Sequence, residues 1–208
     1  MSRPVAAALL GCAVLASAGC GTGDGVGGSS CSVSVLYEGR TYGGAGDLKR
    51  FPDPSQGAAE GRYVSCGDGP GWPVTVNALP GIAPTVALAV DDALFIAADS
   101  TYPQAVRPFL DEVTCETAGT FTLSGQWLAT SGPRTEGFTP EPPWRVVLRV
   151  QSTTPQAEEY ERTEITVAVS TATRLDDGAR AGGTSESAPV TAELRCDGRR
   201  FAATSLHF

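Results

Sequence analysis

Phe121-Thr122-Leu123-Ser124-Gly125-Gln126-Trp127 alternates apolar and polar side chains, and the alternation returns in Trp144-Arg145-Val146-Val147-Leu148-Arg149-Val150 and in Ile165-Thr166-Val167-Ala168-Val169. A period of two is the signature of a strand with one face in a core and the other in water. Downstream, Ala192, Leu194 and Cys196 lead into Asp197-Gly198, a pair that suits a type I′ turn because glycine takes positive φ at no steric cost. A two-residue turn there pairs Cys196 with Arg199, Leu194 with Phe201 and Ala192 with Ala203, and points Cys196 into the core. Five short antiparallel strands predict a small barrel or sandwich, with an OB-like barrel as one option.

The chain upstream has the same character. Val33, Val35 and Tyr37 alternate before Glu38-Gly39, which reads as a hairpin turn into Arg40. Val74 and Val76 mark another strand; Val86, Leu88 and Val90 pass through Asp91-Asp92 into Leu94 and Ile96, a second hairpin. Residues 51–61 and 67–73, rich in Pro and Gly, read as loops. Around Tyr102, Val106, Phe109 and Leu110 the register breaks, and Pro103 and Pro108 allow one short helix or a linker. The whole is therefore expected to be mainly β: an N-terminal lobe over 31–103 and a C-terminal barrel-like lobe over 104–208.

The first 30 residues read as an address. Arg3 precedes an uncharged run over 5–18, which at about 1.5 Å per residue spans roughly 21 Å as a helix, short of the ~30 Å hydrocarbon core. Residues 1–19 thus read as a secretory signal. Ala16-Ser17-Ala18 offers a cleavage site that releases Gly19 as the new terminus; Ser17-Ala18-Gly19-Cys20 offers a lipobox-like one that lipidates Cys20. Of the six cysteines, Cys12 lies in the removed run. Acylating Cys20 leaves Cys31, Cys66, Cys115 and Cys196, which can all pair, whereas release at Gly19 strands one thiol. Residues 20–30, mostly Gly, Ser and Thr, form a flexible tether. The expected place is the outer face of the cytoplasmic membrane. Pairing that respects the lobe boundary gives Cys31–Cys66 and Cys115–Cys196.

Charge excludes one class of partner. The chain has 15 basic and 23 acidic side chains, net −8, so sequence-independent attraction to nucleic acid is missing. Lys49 is the one lysine among the basic residues, and Ala and Gly are abundant, as a GC-rich actinobacterial genome would dictate.

Chemistry is sparsely signalled. His207 is the one histidine, next to last in the chain, with no G-x-S-x-G elbow for it to serve. The cysteines are too widely spaced for zinc, so neither metal nor cofactor is expected. Asp91-Asp92, Asp176-Asp177 and Glu158, Glu159 and Glu161 are the carboxylate groups from which a hydrolase acting on envelope carbohydrate would be built, with Asp91 and Glu141 as an example pair. Solvated turns are the simpler account of them. Trp72, in a Pro/Gly loop, is the candidate ligand-binding residue, able to stack on a sugar ring or a partner's proline. Trp127 and Trp144 fall on core faces.

The stretch from Cys31-Ser32-Val33-Ser34-Val35-Leu36-Tyr37-Glu38-Gly39-Arg40 through Val64-Ser65-Cys66-Gly67-Asp68 and Val74-Thr75-Val76 resembles a family of actinobacterial exported lipoproteins of unknown function. Pro142-Pro143-Trp144-Arg145 and residues 190–206 are similar to the second half of such proteins. The resemblance covers most of the exported chain and implies export and disulfides, but brings no catalytic residue. The expected function is that of a lipid-anchored, non-enzymatic envelope protein binding an envelope protein or glycan through its loops.

Overall fold

The computed structural model describes residues 33–55, 57–64, 71–131, 143–176 and 187–208. The expected signal peptide and tether, Cys20, Cys31, Cys66, Glu141 and Asp177 lie outside the described residues, and so does the expected Cys31–Cys66 bond.

β1 (Ser34–Tyr37) and β2 (Arg40–Asp47) form the expected hairpin, with Glu38 and Gly39 at φ 47° and 75° as a type I′ turn demands. β3 (Ala59–Val64), β4 (Trp72–Ala78), β5 (Ala87–Val90) and β6 (Ala93–Ala97) follow, and the six strands close in the order β1-β2-β6-β5-β4-β3, all antiparallel. β3 begins inside the segment expected to be loop. Its inward positions are Ala59, Gly61 and Tyr63, of which the fully buried one, Gly61, carries no apolar signal, while Glu60 and Arg62 face out. Val35, Tyr42, Val76, Leu88, Val90 and Phe95 fill the barrel. β5 is buried on both faces because Val106, Phe109 and Leu110 of the following connector cover Ala87, Ala89, Leu94 and Ile96 from outside.

That connector is a 3-10 turn (Gln104–Val106) running directly into one α-turn (Arg107–Leu110). The expected boundary at 103/104 falls at its start. The two barrels nonetheless belong to one compact unit.

β7 (Gly119–Ser131), β8 (Trp144–Thr153), β9 (Glu164–Val169), β10 (Arg174–Leu175), β11 (Ala188–Cys196) and β12 (Phe201–His207) build the second sheet in the order β10-β12-β11-β7-β8-β9. A parallel β9–β12 pairing closes five of them into a barrel, and β10 adds in parallel to β12. The predicted faces are those observed: Trp127 and Trp144 are each 3% exposed with ring centroids 5.5 Å apart. Phe121, Tyr160 and Phe201 meet at 5.0–6.1 Å in stacked and edge contacts.

The last hairpin corrects one expectation. Cys196 pairs with Phe201 and Leu194 with Ala203, so the loop holds four residues, Asp197 to Arg200, and the register sits two residues away from the expected one. Asp197 Oδ1 accepts the backbone N–H of both Arg199 (3.0 Å) and Arg200 (2.8 Å), a side-chain-stabilised turn that outcompetes the tighter one. A shift of two preserves the faces, so Cys196 still points inward and bonds Cys115, Cα–Cα 5.8 Å. Closing that loop of 82 residues is worth about 4.5 kcal/mol in the chain-entropy model.

Residues 49–51 join the barrels. Glu164 N–H donates to Lys49 O (2.8 Å), Phe51 N–H to Arg162 O (2.7 Å), and Arg50 and Thr163 form an antiparallel bridge. Three ion pairs cross the same seam: Lys49 with Glu164, Arg149 with Asp92 (2.8 Å) and Arg162 with Asp53 (2.9 Å).

Two outcomes test this architecture. A Cβ at Gly125 would run into the carbonyl oxygen of Arg149 across the β7–β8 bulge. Gly125→Ala should therefore cost about 1–3 kcal/mol, read as a lower urea midpoint at unchanged slope; an unchanged midpoint would contradict the close approach. At the seam, hydrogen bonds from Arg162 and then from Ser55 hold the Asp53 carboxyl down at about 2. A depressed carboxyl stabilises the fold above its unfolded value of about 4, and that contribution is lost as pH falls through about 2. Asp53→Asn should thus be less stable than the parent at pH 5, with the gap closing as the urea midpoints are followed down to pH 2.

Candidate functional site

The seam leaves a cleft of about 370 Å³ between the barrels. Phe51, Pro52 and Pro54 line it from the segment after β2, Asn77 and Asp91 from the first barrel, and Arg149, Gln151 and Arg162 from the second. The Phe51-Pro52-Asp53-Pro54 segment is rigid because two prolines fix φ, and its aromatic ring lies under the Arg149 guanidinium at 4.5 Å. The same guanidinium bonds Asp92, which locks it across the seam.

Backbone conformation is unusual on both walls. Asp91 (φ 50°) and Arg162 (φ 57°) are two of the four non-glycine residues in the left-handed region among the described residues. Asp91 makes the β5–β6 turn, where aspartate tolerates this geometry. For Arg162 the conformation is enforced: its N–H bonds Val150 O (3.0 Å), its carbonyl accepts from Phe51, and its side chain holds Asp53. Strain kept by so many contacts is characteristic of binding surfaces.

Two buried polar atoms of lining residues, Asn77 Oδ1 and Arg149 Nε, have no hydrogen-bond partner among the described residues. Such atoms are rare in folded proteins, because each costs its full desolvation without return. Both atoms are shut off from solvent inside residues that line the cleft.

Trp72 stands close to this cleft. It is 51% exposed and rests against Tyr63, centroids 5.6 Å apart, while the Tyr63 hydroxyl donates to Asp91 Oδ2 at 3.4 Å. Burial, and next the charge of Asp91, pushes the Tyr63 phenol up from its usual value, so the hydroxyl remains a donor at any physiological pH. The residue before Trp72 is Gly71 at φ 71°, where a Cβ would collide with the Tyr63 carbonyl. Only glycine lets β4 start this close to β3. An aromatic strip therefore runs from exposed Trp72 over Tyr63 to the cleft wall at Asp91.

The expected carboxylates do not gather among the described residues. Asp91 is bonded by Tyr63 and its neighbour Asp92 by Arg149. Glu158 and Glu159 are exposed on the 3-10 segment Pro155–Tyr160, and the following Glu161 accepts from Thr153 N–H at 3.3 Å. Asp176 accepts from Phe208 N–H (2.8 Å) and lies 3.9 Å from His207 Nδ1, at the end of β12. No three His, Cys, Asp or Glu side chains among the described residues come together as a metal site.

Sequence reading singled out Trp72 and Asp91 but missed Phe51, Asn77, Arg149 and Arg162. Alternation along β8 does place Arg149 on an outward face; nothing in it says that a second barrel lies over that face.

Residues 23–117 match a family of unknown function (DUF6281), a stretch that holds the first barrel, the connector and Cys115. No curated protein and no solved structure matches the chain.

Proposed function

We propose that the chain is an actinobacterial lipoprotein, anchored through Cys20 to the outer face of the cytoplasmic membrane, that binds an envelope glycan or protein without catalysing a reaction. The lipobox-like Ser17-Ala18-Gly19-Cys20, the tether after it and cysteine parity support the anchor. The Cys115–Cys196 bond supports an oxidising compartment.

The observation that carries the binding reading is the cleft, where Asn77, Arg149, Gln151 and Arg162 meet a Phe/Pro floor, with Trp72 and Tyr63 beside it. A sugar suits that combination, because its ring presents an apolar face to aromatics while its hydroxyls both donate and accept. Small sites of this size and mixed lining are typical of ligand pockets.

Mass spectrometry of the exported chain should find a diacylglyceryl-modified Cys20 as the first residue; an unmodified terminus at Gly19 would refute the anchor. For binding, Trp72 is the exposed tryptophan, while Trp127 and Trp144 are buried. Titration with solubilised envelope glycan should therefore shift the emission of the parent protein. Trp72→Phe should lose most of that shift, and Asn77→Ala should weaken affinity about tenfold, the scale of one hydrogen bond to a buried group. No shift with any glycan fraction would leave a protein partner as the occupant, to be sought by capture from envelope extracts with Trp72→Ala in parallel. Capture unaffected by Trp72→Ala and Asn77→Ala would remove the cleft from the binding surface.

A further inference from the structure

A second concavity, of about 390 Å³, lies on the outside of the second barrel. Its floor is the outward face of β9 at Thr166 and Ala168 together with Val113 and Phe201. Arg145, paired with Ala168 across the β8–β9 ladder, enters from one side, and Arg199 and Arg200 of the β11–β12 turn line it as well. Glu112 is the one carboxylate among the lining residues.

In a chain with an excess of acidic groups, Arg40, Lys49, Arg149, Arg162 and Arg174 each have an ion-pair partner. Arg145, Arg199 and Arg200 have none among the described residues, and neither do Arg50, Arg62, Arg107 and Arg195, but Arg145, Arg199 and Arg200 are exposed and line one concavity. Asp197, the nearest acid on the turn, has its Oδ1 bonded to the turn's own backbone N–H groups. Three guanidiniums against the carboxylates of Glu112 and Asp197, the latter acting on Arg200, still leave the groove cationic, and guanidinium forks match paired oxygens of phosphate and carboxylate.

The walls are also fixed in place. The Cys115–Cys196 bond ties the 112–114 segment to the strand that ends at the arginine turn, and Val113 bridges to Ile165 of β9. Asp197 holds the turn's backbone in one conformation, so little ordering is left for binding to supply.

We propose that this disulfide-braced groove is a second binding site, for an oxyanion-bearing ligand of the phosphate class, with Arg145, Arg199 and Arg200 as its ligating side chains. The same chemistry is offered by a free phosphorylated molecule and by an anionic lipid headgroup. The site shares no lining residue with the inter-barrel cleft and stands or falls separately from it.

The test uses the exported chain, purified with its disulfide intact, and two probes: pyrophosphate by calorimetry at low salt, and co-sedimentation with phosphatidylglycerol vesicles against phosphatidylcholine vesicles. The groove variant is Arg145→Gln/Arg199→Gln/Arg200→Gln. The control, Arg62→Gln/Arg107→Gln/Arg195→Gln, removes the same charge from exposed arginines elsewhere. The groove variant should bind at least about 30-fold more weakly and the control within about threefold of the parent, each charge-assisted bond being worth a tenfold step or more. Pyrophosphate binding that follows this pattern identifies a soluble ligand; vesicle binding alone that follows it identifies the headgroup; either supports the site. Binding of neither probe, or equal loss in both variants, overturns it. If the groove variant does not fold, amide shifts of the parent protein decide: perturbations at Thr114, Thr166 and Arg199 support the site, and perturbations elsewhere overturn it.

Discussion

The contact on which the arrangement depends is the short antiparallel bridge between residues 49–51 and 162–164. A closed barrel has no free sheet edge, so two of them cannot join by extending a ladder. The chain solves this with a segment just outside β2 that binds three ways. Leu48 N–H bonds Asp92 O in the first barrel, Lys49 N–H bonds Phe109 O in the connector, and Lys49 O and Phe51 N–H bond the second barrel. The ion pair between Lys49 and Glu164 is partly buried, and such pairs add little net stability once desolvation is counted. Their use is to make one docking register better than its neighbours, and here two further pairs across the seam act in the same direction.

Barrels this small have no interior room, because side chains fill them. The Trp127–Trp144 and Phe121–Tyr160–Phe201 contacts occupy the second barrel, and Tyr42, Phe95 and their neighbours the first. Binding capacity must then lie where elements meet outside the barrels. The cleft exists because the seam brings two convex surfaces together beside a proline-stiffened segment. The arginine groove exists because β9 runs between the 112–114 segment and the β11–β12 turn.

The disulfide links these features. Cys115 ends the stretch that leaves the connector, and Cys196 ends β11, so one bond ties the entrance of the second barrel to its last hairpin. A covalent tie of about 4.5 kcal/mol is large beside a net stability of about 5–15 kcal/mol.

Much of the strand layout was legible from residue order alone. Alternation along Phe121–Trp127, Trp144–Val150 and Ile165–Val169 reports burial directly, since each inward side chain needs a core and each outward one needs water. Glu38-Gly39 marked its hairpin because few residues take positive φ, and the inward Cys196 followed from the faces of its strand. Trp72 stood out as a tryptophan beside a glycine-rich stretch, and in the structure it opens β4, in step with Val74 and Val76. β3 was hidden because Gly61 fills its fully buried inward position, and the register of the last hairpin because the Asp197 side chain, not the dipeptide, chose the turn. What only the tertiary structure decided is which outward faces meet. Phe51, Asn77, Arg149 and Arg162 come from segments up to more than a hundred residues apart, and Arg145 joins Arg199 and Arg200 only after β9 pairs with both β8 and β12. Local sequence reports whether a side chain seeks water or a core; it carries no record of which distant surface closes over it, because that choice is made by the packing of whole barrels.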